Sequence, residues 1–174
     1  RKVLHGKLLV RLGVSASDME DLLAKALKFL GHAGSERQLY ILRESLRNLS
    51  FRLERWEDAF GGYSSLYSAA LLDNNKHAAL VGMMRSAFKA HQWNEAVRNS
   101  DRVLADSKSG ADLKSEARYV KAKSYLATSR RDEAYSIFAD LASDVSSNYG
   151  AEAAYLIILD SYDKGEFEAV EEKV

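Results

Sequence analysis

Four aromatic residues, Phe51, Phe88, Tyr125 and Tyr162, stand 37 positions apart along this chain, and each follows a small residue: Ser50, Ala87, Ser124 or Ser161. A second series keeps step with the first. The blocks Trp56-Glu57-Asp58-Ala59, Trp93-Asn94-Glu95-Ala96, Arg131-Asp132-Glu133-Ala134 and Phe167-Glu168-Ala169-Val170 end on a small or apolar residue at spacings of 37, 38 and 36. Two independent series on nearly one period define a repeat. Self-similarity at a period of about 20–50 residues is the mark of stacked supersecondary units, each too small to bury its own apolar side.

The unit is two helices joined by a short turn. Proline is absent, which removes the strongest helix breaker, and Ala, Leu, Lys, Arg and Glu abound. Apolar residues recur three or four apart in Leu39, Leu42, Leu46, Leu49 and Leu53, in Leu80, Met83, Met84 and Ala87, and in Tyr155, Ile158, Leu159 and Tyr162. Ser35-x-x-Gln38 has the spacing of a capping box. Gly110 punctuates the join before the third pair, and Asp163-Lys164-Gly165 provides a glycine for the left-handed residue that ends a helix. The expected pairs are 35–53 with 56–71, 74–90 with 93–107, 112–128 with 131–146, and 150–163 with 167–174, the last cut short. They fall in repeats 35–73, 74–111, 112–149 and 150–174. Residues 1–34 are expected to hold a degenerate pair, 2–13 and 17–31, with Leu4, Leu8 and Leu12 on one face and Ser17-x-x-Glu20 as a cap. The expectation is one all-α domain over 1–174, an α-α superhelix. Its aromatic ladder is first a packing device, because each ring hides about 150–250 Å² when buried.

Several functions find no support in the residues. Lys plus Arg equals Asp plus Glu, 25 each, so no net field draws nucleic acid or an acidic membrane. With no cysteine there is no disulfide, thiolate metal site or thiol nucleophile. His5, His32, His77 and His91 lack the i, i+4 spacing of a helical metal site. The carboxylates alternate with Lys and Arg on amphipathic faces, and the serines lack a nucleophile-elbow context. Gly61-Gly62 lies inside a predicted helix without the Lys-Ser/Thr of a phosphate loop; it and Gly82 are expected to permit close helix approach or a kink. No apolar run approaches the roughly 18–20 residues that span a bilayer. The expected protein is not an enzyme and carries no metal or cofactor. The amino end does not resemble a signal peptide and does not begin with Met, so Arg1 and Val174 read as cuts in a longer chain.

The order of small residue, aromatic, turn and Ala resembles the tetratricopeptide repeat (TPR). Ala122, Tyr125, Ala134 and Phe138 sit where that family has its small, Tyr, Ala and aromatic positions, and Ala154-Tyr155-Leu156 through Gly165-Glu166-Phe167 is similar to a further copy. The resemblance spans residues 36–174 and departs from the family in its period of 36–38 rather than about 34 and in lacking the terminal proline. Residues 77–174 also resemble large multi-repeat TPR proteins of gut-associated Gram-negative bacteria, through Glu116-Ala117-Arg118-Tyr119, Ala122-Lys123-Ser124-Tyr125-Leu126 and Asp132-Glu133-Ala134. The final copy is similar to repeats of periplasmic TPR proteins that assist outer-membrane assembly. These likenesses imply a protein-binding scaffold, with the periplasm or cell envelope favoured over the cytoplasm.

In TPR arrays the first helix of each pair lines the concave face, which implies one partner-facing stripe per unit: Glu44, Asn48 and Arg52; Val81, Arg85 and Lys89; Tyr119 and Lys123, with Arg118 the alternative to Tyr119; and Tyr155, Leu159 and Asp163. Members four apart stack on one side of a helix. Arg52, Arg85, Lys89 and Lys123 would give a mildly basic strip suited to a peptide with acidic and apolar residues, while the ordinary reading of such cations is solvated helix surface. The family's clamp for a terminal carboxylate is absent, since Glu44 stands where it needs Lys and Gly82 where it needs Asn. The expected role is non-enzymatic capture of a protein or peptide. The alternative is a structural spacer or self-assembly segment of a longer solenoid.

Overall fold

The computed structural model describes residues 54–165, which form six α-helices and, among the described residues, no strand. They are α1 (Trp56–Ala69), α2 (Asp73–Lys89), α3 (Trp93–Ala105), α4 (Ala111–Ala127), α5 (Arg131–Ala142) and α6 (Asn148–Asp163). The expected helices 2–13, 17–31, 35–53 and 167–174 lie outside the described residues. Chain contacts divide the protein into two compact units, Arg1–Ala90 and His91–Val174, so the expected pair 74–90 with 93–107 has one helix in each.

In the first unit α1 packs against α2. Ala59, Tyr63, Leu66 and Ala70 recur at helical spacing and pack with Ala79 and Met83, all buried. Leu66 alone, fully buried, is worth about 1.5–3 kcal/mol over its exposed state. The stripe Leu80, Met83, Met84 and Ala87 is buried as its periodicity requires. Gly82 lets the helices approach: a Cβ there would overlap the ring of Tyr63, whereas Gly61 faces open space.

In the second unit α3 packs on α4, α4 on α5 and α5 on α6, and α4 also reaches α6. Tyr119, Ala122 and Tyr125 of α4, Ala134, Phe138 and Leu141 of α5, and Ala153 of α6 form one core. Phe138 and Ala134 are wholly buried. Tyr119 stacks at a tilt on Phe138, 6.1 Å between centroids, and on Tyr149, 5.4 Å.

Two kinds of junction alternate along the chain, each with its own backbone conformation. The helices whose first turns hold the Trp or Arg blocks start from N-caps of one shape: Arg55 (φ −87°, ψ 68°), Gln92 (−82°, 68°) and Arg130 (−92°, 62°). Directly before each comes a residue in the left-handed region, Glu54 (φ 52°), His91 (58°) and Ser129 (62°), and Gly165 (75°) follows as the fourth. These four stand 37, 38 and 36 residues apart, the same intervals as the sequence repeat. The other helices start from extended N-caps, Leu72, Gly110 and Ser147. Non-glycine residues rarely adopt positive φ, so its return at this interval shows that the periodic sequence builds a periodic turn.

One boundary departs from expectation. The helix expected over 131–146 ends at Ala142. The Asp144 carboxylate accepts from the Ser146 N–H at 3.2 Å and the Ser147 N–H donates to the Asp144 carbonyl at 3.2 Å, which stabilises a turn in place of a further helical one. Ser147 then accepts from the Gly150 N–H at 3.0 Å as the N-cap of α6, which starts two residues before the expected position 150.

Candidate functional site

The partner-facing residues expected from the sequence fall into three groups in the structure. Asn48 and Arg52 lie outside the described residues. Arg85 and Lys89 are exposed one turn apart on α2, as side chains spaced by four on one helix must be. Lys89 sits in the last turn, where a cation also complements the carbonyl end of the helix. Val81, beside them in the expected stripe, is buried.

On α4 the expectation needs correcting. Tyr119 is not a surface contact: only 9% of it is exposed, and its hydroxyl donates to Glu152 of α6. Burial first, then the Glu152 hydrogen bond and charge, push its phenol well above the usual tyrosine value. A tyrosine ring buries an apolar body cheaply provided its hydroxyl finds an acceptor, and Glu152 is that acceptor. The neighbouring Arg118 is exposed and Lys123 half-buried. On α6, Tyr155 is 60% exposed and Leu159 40%, and Asp163 is exposed.

Several ion pairs that sequence patterning did not predict join charged groups of the second unit. Lys121 of α4 pairs with Asp101 of α3 at 2.6 Å. Burial pulls its pKa down, but the Asp101 hydrogen bond and charge raise it on balance. The Tyr125 ring carries two cations, Arg130 at 3.9 Å and Lys121 at 5.7 Å from its centroid. Glu133 takes Arg130 Nε through both carboxylate oxygens at 3.0 Å, which holds its own carboxyl below the usual value and raises the guanidinium. Asp160 of α6 is buried and faces Arg131 of α5 and, at 2.9 Å, Lys164. Partners 20 or more residues apart, such as Lys121 with Asp101 and Arg131 with Asp160, leave no local spacing to find them by. Arg130 with Glu133, an i, i+3 pair, does.

Among the described residues no three His, Asp or Glu side chains gather where they could hold a metal ion, and no described helix is long and apolar enough to cross a membrane. Among the described residues the one buried carboxylate, Asp160, is committed to two cations. The surface carries the cationic pair Arg85 and Lys89 on α2, Arg118 and the half-buried Lys123 on α4, and an exposed apolar stripe, Tyr155, Leu159 and Tyr162, on α6. These features define an all-α protein with its helices packed in chain order within each unit. Comparison with family models, with curated proteins and with solved structures finds no match to this chain.

Proposed function

We propose that the protein is a TPR-like α-α superhelix acting as a non-enzymatic scaffold that captures an acidic, partly apolar peptide segment of another protein. The observation that carries this reading is the return of the left-handed turn residue at Glu54, His91, Ser129 and Gly165, in phase with the repeat. A chain that rebuilds one turn on one period repeats one helical unit, and repeated helical units display equivalent surface positions at regular intervals. Support also comes from the second unit, where first helix packs on second, second on the next first, and first on next first. Cationic capture rests on Arg85 and Lys89, with Lys123 and Arg118 supplying the corresponding stretch of α4. Tyr119 no longer contributes. Asn48 and Arg52 extend the proposal on the sequence alone.

The test is fluorescence anisotropy on a panel of labelled peptides graded in acidic and apolar content, comparing the native chain with Arg85→Glu combined with Lys89→Glu. Both side chains are exposed, and helical circular dichroism of the double variant checks that it stays folded. Reversal of two contacts should weaken the best peptide by roughly tenfold or more, about 1.4 kcal/mol. Undiminished binding would end the cationic-capture reading.

The apolar stripe of α6 favours a second reading, a structural segment whose units touch mainly one another. Absence of binding to every peptide, together with concentration-dependent association in sedimentation, would select it.

A further inference from the structure

One kind of junction is built three times among the described residues, where the second helix of a copy packs on the first helix of the next: α1 on α2, α3 on α4, and α5 on α6. Across the middle one, Lys121 of α4 meets Asp101 of α3 at 2.6 Å. The repeat gives both residues counterparts at the other two. Asp101 stands 37 residues after Ser64 of α1 and 38 before Ala139 of α5, while Lys121 stands 37 after Met84 of α2 and 37 before Ile158 of α6. These are the intervals of the repeat itself. The three junctions thus carry Ser64 with Met84, Asp101 with Lys121, and Ala139 with Ile158 at corresponding positions, and the middle combination alone is charged.

Stability does not require the charge. Met84, in the place of Lys121, is wholly buried, so the position accepts an apolar side chain, and replacing a covered ion pair by apolar residues is often neutral or stabilising. What the pair supplies is discrimination. Copies made on one period offer one another similar faces, and the exchange of equivalent elements is a characteristic failure of repeat chains. Lys121 is only 21% exposed. With α1 or α5 in the place of α3, it would face Ser64 or Ala139 and be covered without a counter-charge. With α3 seated on α2 or α6, Asp101 would face Met84 or Ile158. A covered charge without its partner is penalised, and a wrong pairing is rejected by that penalty. We propose that Asp101 and Lys121 form an address, which selects α3 over its equivalents as the helix that docks on α4. The inference rests on the repeat reading above and is independent of peptide capture.

Because the chain has no cysteine, spin labels on Ala105→Cys of α3 and Ala127→Cys of α4, both exposed, report the docking of α3 in the full chain. Each variant is unfolded in urea, refolded and measured by double electron–electron resonance. With Asp101 and Lys121 in place, one distance is expected. Asp101→Lys sets like charges against each other and should lower the population at that distance, relative to all others, by about tenfold or more. Asp101→Lys with Lys121→Asp should restore it, since the reversed pair is still an address. Asp101→Ser with Lys121→Met writes the Ser64–Met84 combination into the middle junction. It should keep the unfolding constant to within about threefold in urea denaturation and yet admit further distances. Should Asp101→Lys fail to fold, the other two variants decide. A single native distance in the Ser–Met variant overturns the proposal, and so does a reversed pair that leaves the native distance unrestored. Peptide binding through Arg85 and Lys89 alongside either result would remove this inference alone.

Discussion

Gly61 and Gly82 are both interior helix glycines, yet their substitutions should act in opposite directions. At Gly61 a methyl group meets nothing, so Gly61→Ala should gain most of the roughly 1 kcal/mol by which Ala exceeds Gly in a helix. At Gly82 the same gain is set against overlap with the ring of Tyr63, itself buried and unable to swing away. Overpacking costs about 1–3 kcal/mol, so Gly82→Ala should be destabilising in urea denaturation. Tyr119 gives a prediction in pH. Its phenol is raised in the folded chain, so from its ordinary value near 10.0 upward the unfolded chain loses a proton that the folded chain keeps. The folded state then binds more protons, and stability falls as pH rises, by up to about 1.4 kcal/mol per pH unit. Tyr119→Phe should remove that part of the slope between pH 10 and 11 while leaving the profile near pH 7 unchanged. Neither the burial of Tyr119 nor its acceptor was legible in the sequence, because Glu152 lies 33 residues away and a lone tyrosine on a polar stripe looks the same buried or exposed.

At the level of helices and turns, the second unit is fixed by backbone chemistry as much as by its core. Ser147 is the one N-cap of the six described helices whose side chain accepts a backbone N–H. Its hydroxyl also donates to the Asp144 carbonyl at 3.1 Å. Ser147→Ala should cost about 0.5–2 kcal/mol, seen as a lower denaturation midpoint at unchanged slope. Ser129 offers the reverse. A non-glycine residue in the left-handed region costs roughly 1–2 kcal/mol, and glycine's added chain entropy takes back about 0.5–1. Ser129→Gly should therefore stabilise by roughly 0.5–1 kcal/mol, read from the same denaturation curves. The start of every described helix was legible to within two residues, through apolar period and turn residues. The end of α5 was missed by four, because Asp144 and Ser147 act through hydrogen bonds to specific backbone groups, which residue spacing does not reveal.

Across the whole chain, Arg85 and Lys89 are exposed cations in a protein of zero formal net charge, so any peptide capture they mediate is a local field. It should weaken as ionic strength rises from about 0.01 to 0.15 M and the screening length contracts from about 30 to 8 Å; anisotropy titrations at the two salt concentrations measure this, and an unchanged affinity would point to apolar contacts instead. The sequence by itself determined the helical state, the period and the phase of the turns. Those follow from side-chain periodicity and from local backbone preference, which act over a few residues. Only the tertiary structure decided which side of each helix is spent on packing. That choice sent Tyr119 inward to Glu152, bound Asp160 between Arg131 and Lys164, and left Tyr155 and Tyr162 in the open. It depends on which distant segment arrives at a given face, and a helix carrying apolar residues on two sides does not say in advance which side will be met.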